Sequence, residues 1–193
     1  MNNINTPIFL STKGPRFVIT GLPRSGTTWM ANFYTTDNVI CLHDPIGAAF
    51  TPIELVNYDP GYPFGISCTS AWMFPGFLEQ CVLQGARIMI IDRPINEVNN
   101  SLLELSFDPM PPETQSMFAG VPGPRVPFKS IFDSVEQRKI WNWLRPDIIF
   151  PKEKFEQFKS YHVEPVFAHV KQDTSKYIEL LGEIRKITHN LAN

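Results

Sequence analysis

The strongest constraint on the fold is a short apolar run that ends in a glycine-containing loop and leads directly into a segment of helical character. The run is Arg16–Thr20, the loop is GLPRSG (21–26), and TTWMANFY (27–34) follows. A short apolar run bounded by a turn predicts a buried strand. A second run, Ala86–Asp92, predicts another buried strand. It leads into a helix over Pro94–Leu105, whose apolar residues recur every three or four positions.

Strands that alternate with helices in this way predict an α/β fold of three layers, with a central parallel sheet flanked by helices. The chain of 193 residues is expected to form one domain over residues 1–193. Residues 45–75 predict loops with short helices. The remaining predicted elements are strands at Val39–Leu42 and Val166–Val170, and helices at Pro75–Gly85, Ser130–Leu144, Pro151–Tyr161 and from Asp173 to about Ile187.

A proline-rich loop is predicted over residues 106–128. Its prolines are Pro109, Pro111, Pro112, Pro122, Pro124 and Pro127. Proline lacks a backbone N–H, so we expect neither a regular helix nor a central strand here. Long loops inside a domain are often functional. The segment is therefore expected to be a lid or acceptor loop, with a surface excursion without a role as the alternative.

Composition excludes several classes of protein. The chain has 17 Lys and Arg against 19 Asp and Glu, for a net charge of -2, which argues against a nucleic-acid partner bound by a broad basic face. Its 3 cysteines form no CxxC pair, which favours a reducing compartment. No apolar run reaches the length of a membrane span, and no metal-ligand spacing occurs. We therefore expect a soluble cytoplasmic protein without a metal.

The loop after the first strand has the composition of an anion site. Glycines let the backbone turn tightly and approach a ligand, and the unpaired N–H groups at the start of the next helix carry partial positive charge. The spacing Gly21–Gly26 is that of a P-loop, but Thr27 stands where a Walker A loop has lysine. The cation is Arg24 instead, which argues against ordinary Mg-ATP chemistry.

The string PRSGTTW (23–29) resembles the 5′-phosphosulfate-binding loop of the PAPS-dependent sulfotransferases. Cytosolic members usually have lysine at the position of Arg24, whereas tyrosylprotein sulfotransferases and many bacterial members have arginine. The resemblance implies a P-loop NTPase-like sulfotransferase fold and the donor 3′-phosphoadenosine 5′-phosphosulfate (PAPS), with 3′,5′-ADP as product. The residues expected to bind the 5′ end of the donor are Arg24, Ser25, Gly26, Thr27 and Thr28.

A second motif is implied by the same resemblance. The family binds the 3′-phosphate with an arginine at the end of a later strand and a serine eight residues on. Here Arg93 follows the strand Ala86–Asp92, and Ser101 lies in the next helix. Arginine offers a forked donor to a phosphate. The local string differs from the family's usual Arg-Asp-Pro or Arg-Asn-Pro, because Pro94 follows Arg93 directly. An ordinary surface arginine and helix serine are the alternative.

Three further residues have open alternatives. Transfer to a hydroxyl needs a base, and the strand Val39–Leu42 is followed by His43 and Asp44. His43 is expected to be the base with Asp44 as its orienting partner, Asp44 could itself be the base, and both could be structural. Trp29 is expected either to stack on the adenine, as in cytosolic relatives, or to pack in the core.

The sequence thus predicts transfer of a sulfuryl group from PAPS to a hydroxyl or amine of a small-molecule or conjugate acceptor. Arg24 would neutralise charge on the leaving oxygen. Two alternatives remain, a P-loop kinase or NTPase and a non-catalytic nucleotide-binding protein of the same fold. Cytosolic sulfotransferases also have a C-terminal Arg-Lys-Gly segment that closes over the donor, and we find no such segment.

Overall fold

The centre of the protein is a parallel sheet of five strands, in the order β2-β3-β1-β4-β5. The computed structural model describes residues 12–160. Every neighbouring pair of these strands is parallel. The strands are β1 (Phe17–Gly21), β2 (Ile40–His43), β3 (Phe64–Cys68), β4 (Arg87–Asp92) and β5 (Arg125–Pro127). The strand predicted at 166–170 and the helix predicted from residue 173 lie outside the described residues.

Eight helices connect and cover these strands within residues 12–160. They are α1 (Thr27–Tyr34), α2 (Pro45–Ala48), α3 (Pro52–Asn57), α4 (Pro75–Leu83), α5 (Ile95–Leu103), α6 (Glu113–Ala119), α7 (Ser134–Leu144) and α8 (Lys152–Ser160). Helix α2 is a single kinked turn, with non-helical backbone at Ile46 and Gly47. Two 3₁₀ turns lie at Ala71–Met73 and Phe128–Phe132. None of the helices described here is long and apolar enough to span a bilayer.

Helices lie on both faces of the sheet, so the three-layer α/β prediction is confirmed. Alternate residues of β1 enter opposite cores, with Val18 on one face and Ile19 on the other. The core around Val18 includes residues of α3, α4, α5 and α6. The core around Ile19 includes residues of α1, α7 and α8. A parallel sheet covered on both faces explains why β1 and β3 are buried at every residue.

Helix α1, which follows the glycine loop, is anchored near both ends. Near its N-terminus, the third residue of the helix, Trp29, is buried and stacks on Phe33, with ring centroids 5.0 Å apart. At its C-terminus, Lys154 of α8 donates to the carbonyl oxygens of Asn32 at 3.2 Å and Phe33 at 2.9 Å. A lysine at this end satisfies carbonyl groups that lack a helical partner. The start of α1 is therefore held in a fixed position relative to the sheet.

Strand β3 lies within residues 45–75, for which the sequence predicts only loops and short helices. Its sequence FGISC contains a glycine and a serine, which weaken a strand pattern. The glycine is needed here because a Cβ on Gly65 would lie 2.2 Å from the Phe17 ring on β1. The side chain of Phe17 therefore occupies the space that a larger residue on β3 would need.

The prediction that residues 106–128 contain no regular helix was wrong, since the segment contains helix α6. The segment also contains strand β5, which is not a central strand. The prolines lie on either side of α6 rather than within it, so they remove none of its internal hydrogen bonds. Strand β5 is at the edge of the sheet, where proline is tolerated. Arg125 joins these elements by donating to the carbonyl oxygens of Phe118 and Val121 at the end of α6.

We predict that Gly65→Ala lowers the free energy of unfolding by about 1–3 kcal/mol, the usual cost of overpacking a core. The matched control is Gly76→Ala in α4, because a Cβ on Gly76 meets nothing within 4 Å. Urea denaturation followed by circular dichroism measures both variants. Equal stabilities for the two variants would contradict the proposed steric role of Gly65.

Candidate functional site

The glycine loop and Arg93 lie at the carboxyl ends of two neighbouring strands. Strand β1 leads into α1 on one face of the sheet, whereas β4 leads into α5 on the opposite face. Gly21 of β1 is paired in register with Ile91 of β4. Open α/β sheets bind ligands in the crevice where successive connections leave in opposite directions. The topology therefore places both sequence motifs at the position where such a sheet forms a binding site.

The loop between β1 and α1 has a backbone suited to close approach by an anion. Arg24 and Gly26 both have left-handed conformations, with φ of 65° and 80°, and the Ser25 amide donates to the Leu22 carbonyl at 3.2 Å. No side chain among the described residues caps the N-terminus of α1. Its first amides are therefore free of capping side chains and carry the partial positive charge of a helix start. Left-handed backbone at a non-glycine residue such as Arg24 is strained and often occurs at functional sites.

The two motifs predicted from sequence contact each other directly. Arg24 Nε donates to Ser101 Oγ at 3.1 Å, and Arg93 Nη1 donates to the Arg24 carbonyl oxygen. A guanidinium group has donors only, so Ser101 must act as the acceptor in its contact with Arg24. The hydroxyl proton of Ser101 consequently remains available for another acceptor. The structure thus brings Arg24, Arg93 and Ser101 together at one point.

Two arginines and two glutamates carry the charges at this point. Burial lowers the pKa of Arg24, the nearby charge of Arg93 lowers it further, and Glu104 partly opposes this. Glu97 Oε2 lies 3.7 Å from Arg93 Nε, without a hydrogen bond between the two groups. The buried Ser25 Oγ also has no hydrogen-bond partner. Two adjacent arginines and the buried Ser25 hydroxyl without a hydrogen-bond partner fit the binding of an anion.

His43 lies beside the start of α1. Its Nε2 is 3.1 Å from Thr28 Oγ1 and 3.3 Å from Asp44 Oδ2. Asp44 is itself held in place, because its Oδ1 accepts from the amide of Thr69 at 2.6 Å and from the Thr69 hydroxyl at 3.0 Å. The backbone of Asp44 is left-handed, with φ of 43°. The contact with Thr28 therefore brings the His43 ring to the first turn of α1, and the role of His43 and Asp44 stays a prediction.

Thr27 and Trp29 point into the protein. Thr27 is 3% exposed, and its carbonyl oxygen accepts from the buried Ser67 hydroxyl at 2.8 Å. Trp29 is 5% exposed, and its Nε1 donates to the carbonyl oxygen of Phe158 at 3.3 Å. Of the two alternatives for Trp29, the structure shows core packing, and its ring has no free face for an adenine. Thr27 stays a predicted ligand-binding residue of this loop.

Three residues that contact the site were not predicted from sequence. Ser67 and Thr69 lie at the end of β3 and just after it, and they were missed because β3 itself was missed. Phe128 follows β5, and the guanidinium of Arg93 lies over its ring at 4.3 Å. The only signal for Phe128 was its position directly after the last proline of the 106–128 segment.

Comparisons with protein-family models, with curated proteins and with solved structures found no match to this chain. The interpretation of the site therefore depends on its own residues and geometry.

A cavity of about 490 Å³ lies elsewhere, against α7. It is lined by Arg138, Asn142 and the residues from Pro146 to Phe150, none of which belongs to the motifs. Within residues 12–160, no group of three or more His, Cys, Asp or Glu side chains could hold a metal ion. We locate the site by the converging cations and the helix start rather than by the size of a cavity.

We predict that Gly26→Ala destabilises the protein more than Gly47→Ala does. Both glycines have positive φ, so alanine is strained at either by about 1–2 kcal/mol. Only at Gly26 would the new Cβ meet neighbours, 2.6 Å from Ile131 Cδ1 and 3.2 Å from Phe128 Cε2. This overpacking adds roughly 1–3 kcal/mol. Urea denaturation of the two variants measures the difference, and a larger loss for Gly47→Ala would contradict the close packing of the loop.

Proposed function

We propose that this protein is a PAPS-dependent sulfotransferase, which transfers a sulfuryl group from PAPS to a hydroxyl or amine acceptor and releases 3′,5′-ADP. The observation that carries the proposal is the contact of Arg93 and Arg24 with each other and of Arg24 with Ser101. The resemblance assigns these residues to two separate phosphates of one donor. Their convergence at the carboxyl ends of β1 and β4 supports a single ligand that spans both motifs. It also supports a P-loop-like sulfotransferase arrangement of the sheet.

In this proposal the amides at the start of α1 bind the 5′-phosphate, with Thr28 and Ser25 as further donors. Arg93 binds the 3′-phosphate through its forked guanidinium. Ser101 donates its hydroxyl proton to the same phosphate, since that proton is not used in the bond from Arg24. Burial and the like charge of Arg93 both lower the pKa of Arg24, and a ligand with two phosphates would offset both effects by placing negative charge beside the two arginines.

We propose that His43 is the base and that Asp44 orients it. Both carboxylate oxygens of Asp44 are occupied, Oδ1 by Thr69 and Oδ2 by the His43 ring. A carboxylate accepts but does not donate, so it favours the tautomer with a proton on His43 Nε2. His43 Nδ1 is then the atom that accepts the proton of the substrate.

The proposed reaction is an in-line displacement at sulfur. The acceptor oxygen or nitrogen forms a bond to sulfur as its proton moves to His43. The bond between sulfur and the bridging oxygen breaks, and 3′,5′-ADP leaves with that electron pair. Arg24 stabilises the negative charge that develops on the leaving oxygen, in the way that cations assist phosphoryl transfer.

The first experiment is calorimetric titration with 3′,5′-ADP, 5′-ADP and Mg-ATP. We predict preferential binding of 3′,5′-ADP, weakened roughly 10- to 150-fold in Arg93→Ala, because hydrogen bonds to charged groups are lost. The matched control is Arg138→Ala, which removes an exposed arginine on α7 away from the motifs. Preference for Mg-ATP would contradict the proposal in favour of a kinase or NTPase. Binding of none of the three would also contradict it.

A second experiment tests the role of Arg24 in the reaction. We predict that Arg24→Ala lowers the rate of sulfuryl transfer by about 10²–10³, the usual effect of removing one donor that stabilises developing charge. The rate is measured with ³⁵S-labelled PAPS and a panel containing a phenol, an aliphatic alcohol and an amine. Arg138→Ala again serves as the control. An unchanged rate in Arg24→Ala would exclude this residue from the proposed mechanism.

A further inference from the structure

Phe128 lies next to Arg93 because of the register of the sheet. Asp92 of β4 is paired with Pro127 of β5, so the residues that follow these two strands are neighbours at the carboxyl edge. The guanidinium carbon of Arg93 lies 4.3 Å from the centre of the Phe128 ring. This distance is well within the range of a cation–π interaction. The Arg93 side chain is only 16% exposed, and partial desolvation strengthens such an interaction.

We propose that Phe128 is a positioning residue, which holds the guanidinium of Arg93 in the orientation that binds the 3′-phosphate of the donor. This inference rests on the proposed function. An arginine side chain has several rotatable bonds, and ordering it at the moment of binding costs affinity. The Phe128 ring fixes one face of the guanidinium, and the Arg24 carbonyl oxygen fixes one end through Nη1. Arg93 is thereby oriented before the ligand arrives.

Phe128 also contacts the glycine loop, and this second contact must be separated from the first. Its Cε2 lies 3.2 Å from the position that a Cβ on Gly26 would occupy. A purely structural role of the ring would be to support this loop, which is proposed to bind the 5′-phosphate. Loss of loop support lowers the affinity for every nucleotide with a 5′-phosphate. Loss of the Arg93 orientation lowers the affinity only for a nucleotide that also has a 3′-phosphate.

The test is calorimetric titration of the full chain with 3′,5′-ADP and with 5′-AMP, which lacks only the 3′-phosphate. We expect Phe128→Leu to lower the affinity for 3′,5′-ADP roughly 2- to 30-fold, which corresponds to the free energy of one cation–π contact. The affinity for 5′-AMP should be unchanged. In an Arg93→Ala background, Phe128→Leu should cause no further loss. An equal loss of affinity for both nucleotides would overturn the proposal and would indicate that Phe128 supports the loop instead.

Phe128→Trp retains an aromatic face and is expected to keep the affinity for 3′,5′-ADP. Phe128→Met gives the same comparison as leucine if Phe128→Leu does not fold. The matched control is Phe118→Leu, which removes the ring that lies 4.9 Å from the Arg125 guanidinium and that belongs to the core on the opposite face of the sheet. It should leave the ratio of the two affinities unchanged. If Phe128→Trp lowers the affinity for 3′,5′-ADP as much as Phe128→Leu does, the role assigned to the ring is wrong.

Failure of this inference can be distinguished from failure of the proposed function. Wild-type protein that does not prefer 3′,5′-ADP over 5′-AMP would overturn the proposed function, and the role of Phe128 with it. Wild-type protein that has this preference, with the same ratio in Phe128→Leu, would overturn the role of Phe128 alone.

Discussion

The arrangement of the site depends on two hydrogen bonds that Arg24 makes with neighbouring elements. Its carbonyl oxygen accepts from Arg93 after β4, and its Nε donates to Ser101 in α5. The loop after β1 is thereby tied to the strand and the helix on the other side of the switch point. Arg24 has a left-handed backbone that costs about 1–3 kcal/mol, and these bonds help to hold it. The chain therefore places a strained, positively charged loop at the position where an α/β sheet binds ligands.

This arrangement also bears on the ligand proposed for the site. Burial lowers the pKa of Arg24, and the like charge of the neighbouring Arg93 lowers it further. A neutral or cationic ligand would leave the repulsion between these like charges in place, whereas a ligand with two anionic groups offsets it at both arginines. The contact between Arg24 and Ser101 places the two anion-binding groups close together. The proposed ligand, with two phosphates on one nucleoside, is compatible with two arginines in contact.

The sheet was largely predictable from sequence, and the parts that were missed have particular physical causes. The apolar runs before Gly21 and Arg93 identified β1 and β4, because buried parallel strands are continuous in hydrophobicity. Strand β3 was missed because Gly65 is required by a contact with Phe17, which a local pattern does not reveal. The meeting of Arg24 with Ser101 could be expected only through the resemblance. The contact of Phe128 with Arg93 depends on the register of β4 and β5, and that register is a tertiary property.

The burial of Trp29 gives this residue a different part in the site from an adenine platform. Its ring stacks on Phe33 and meets Phe132 edge-on with centroids 5.4 Å apart. Phe132 in turn packs on Phe128, which contacts both Arg93 and the loop at Gly26. One set of aromatic contacts thus fixes the start of α1 and the ring beneath Arg93 together. Dipoles and charges that are fixed in advance stabilise developing charge without reorganisation. In the proposed reaction, the aromatic core on this face of the sheet would therefore contribute to the electrostatics of the site as well as to stability.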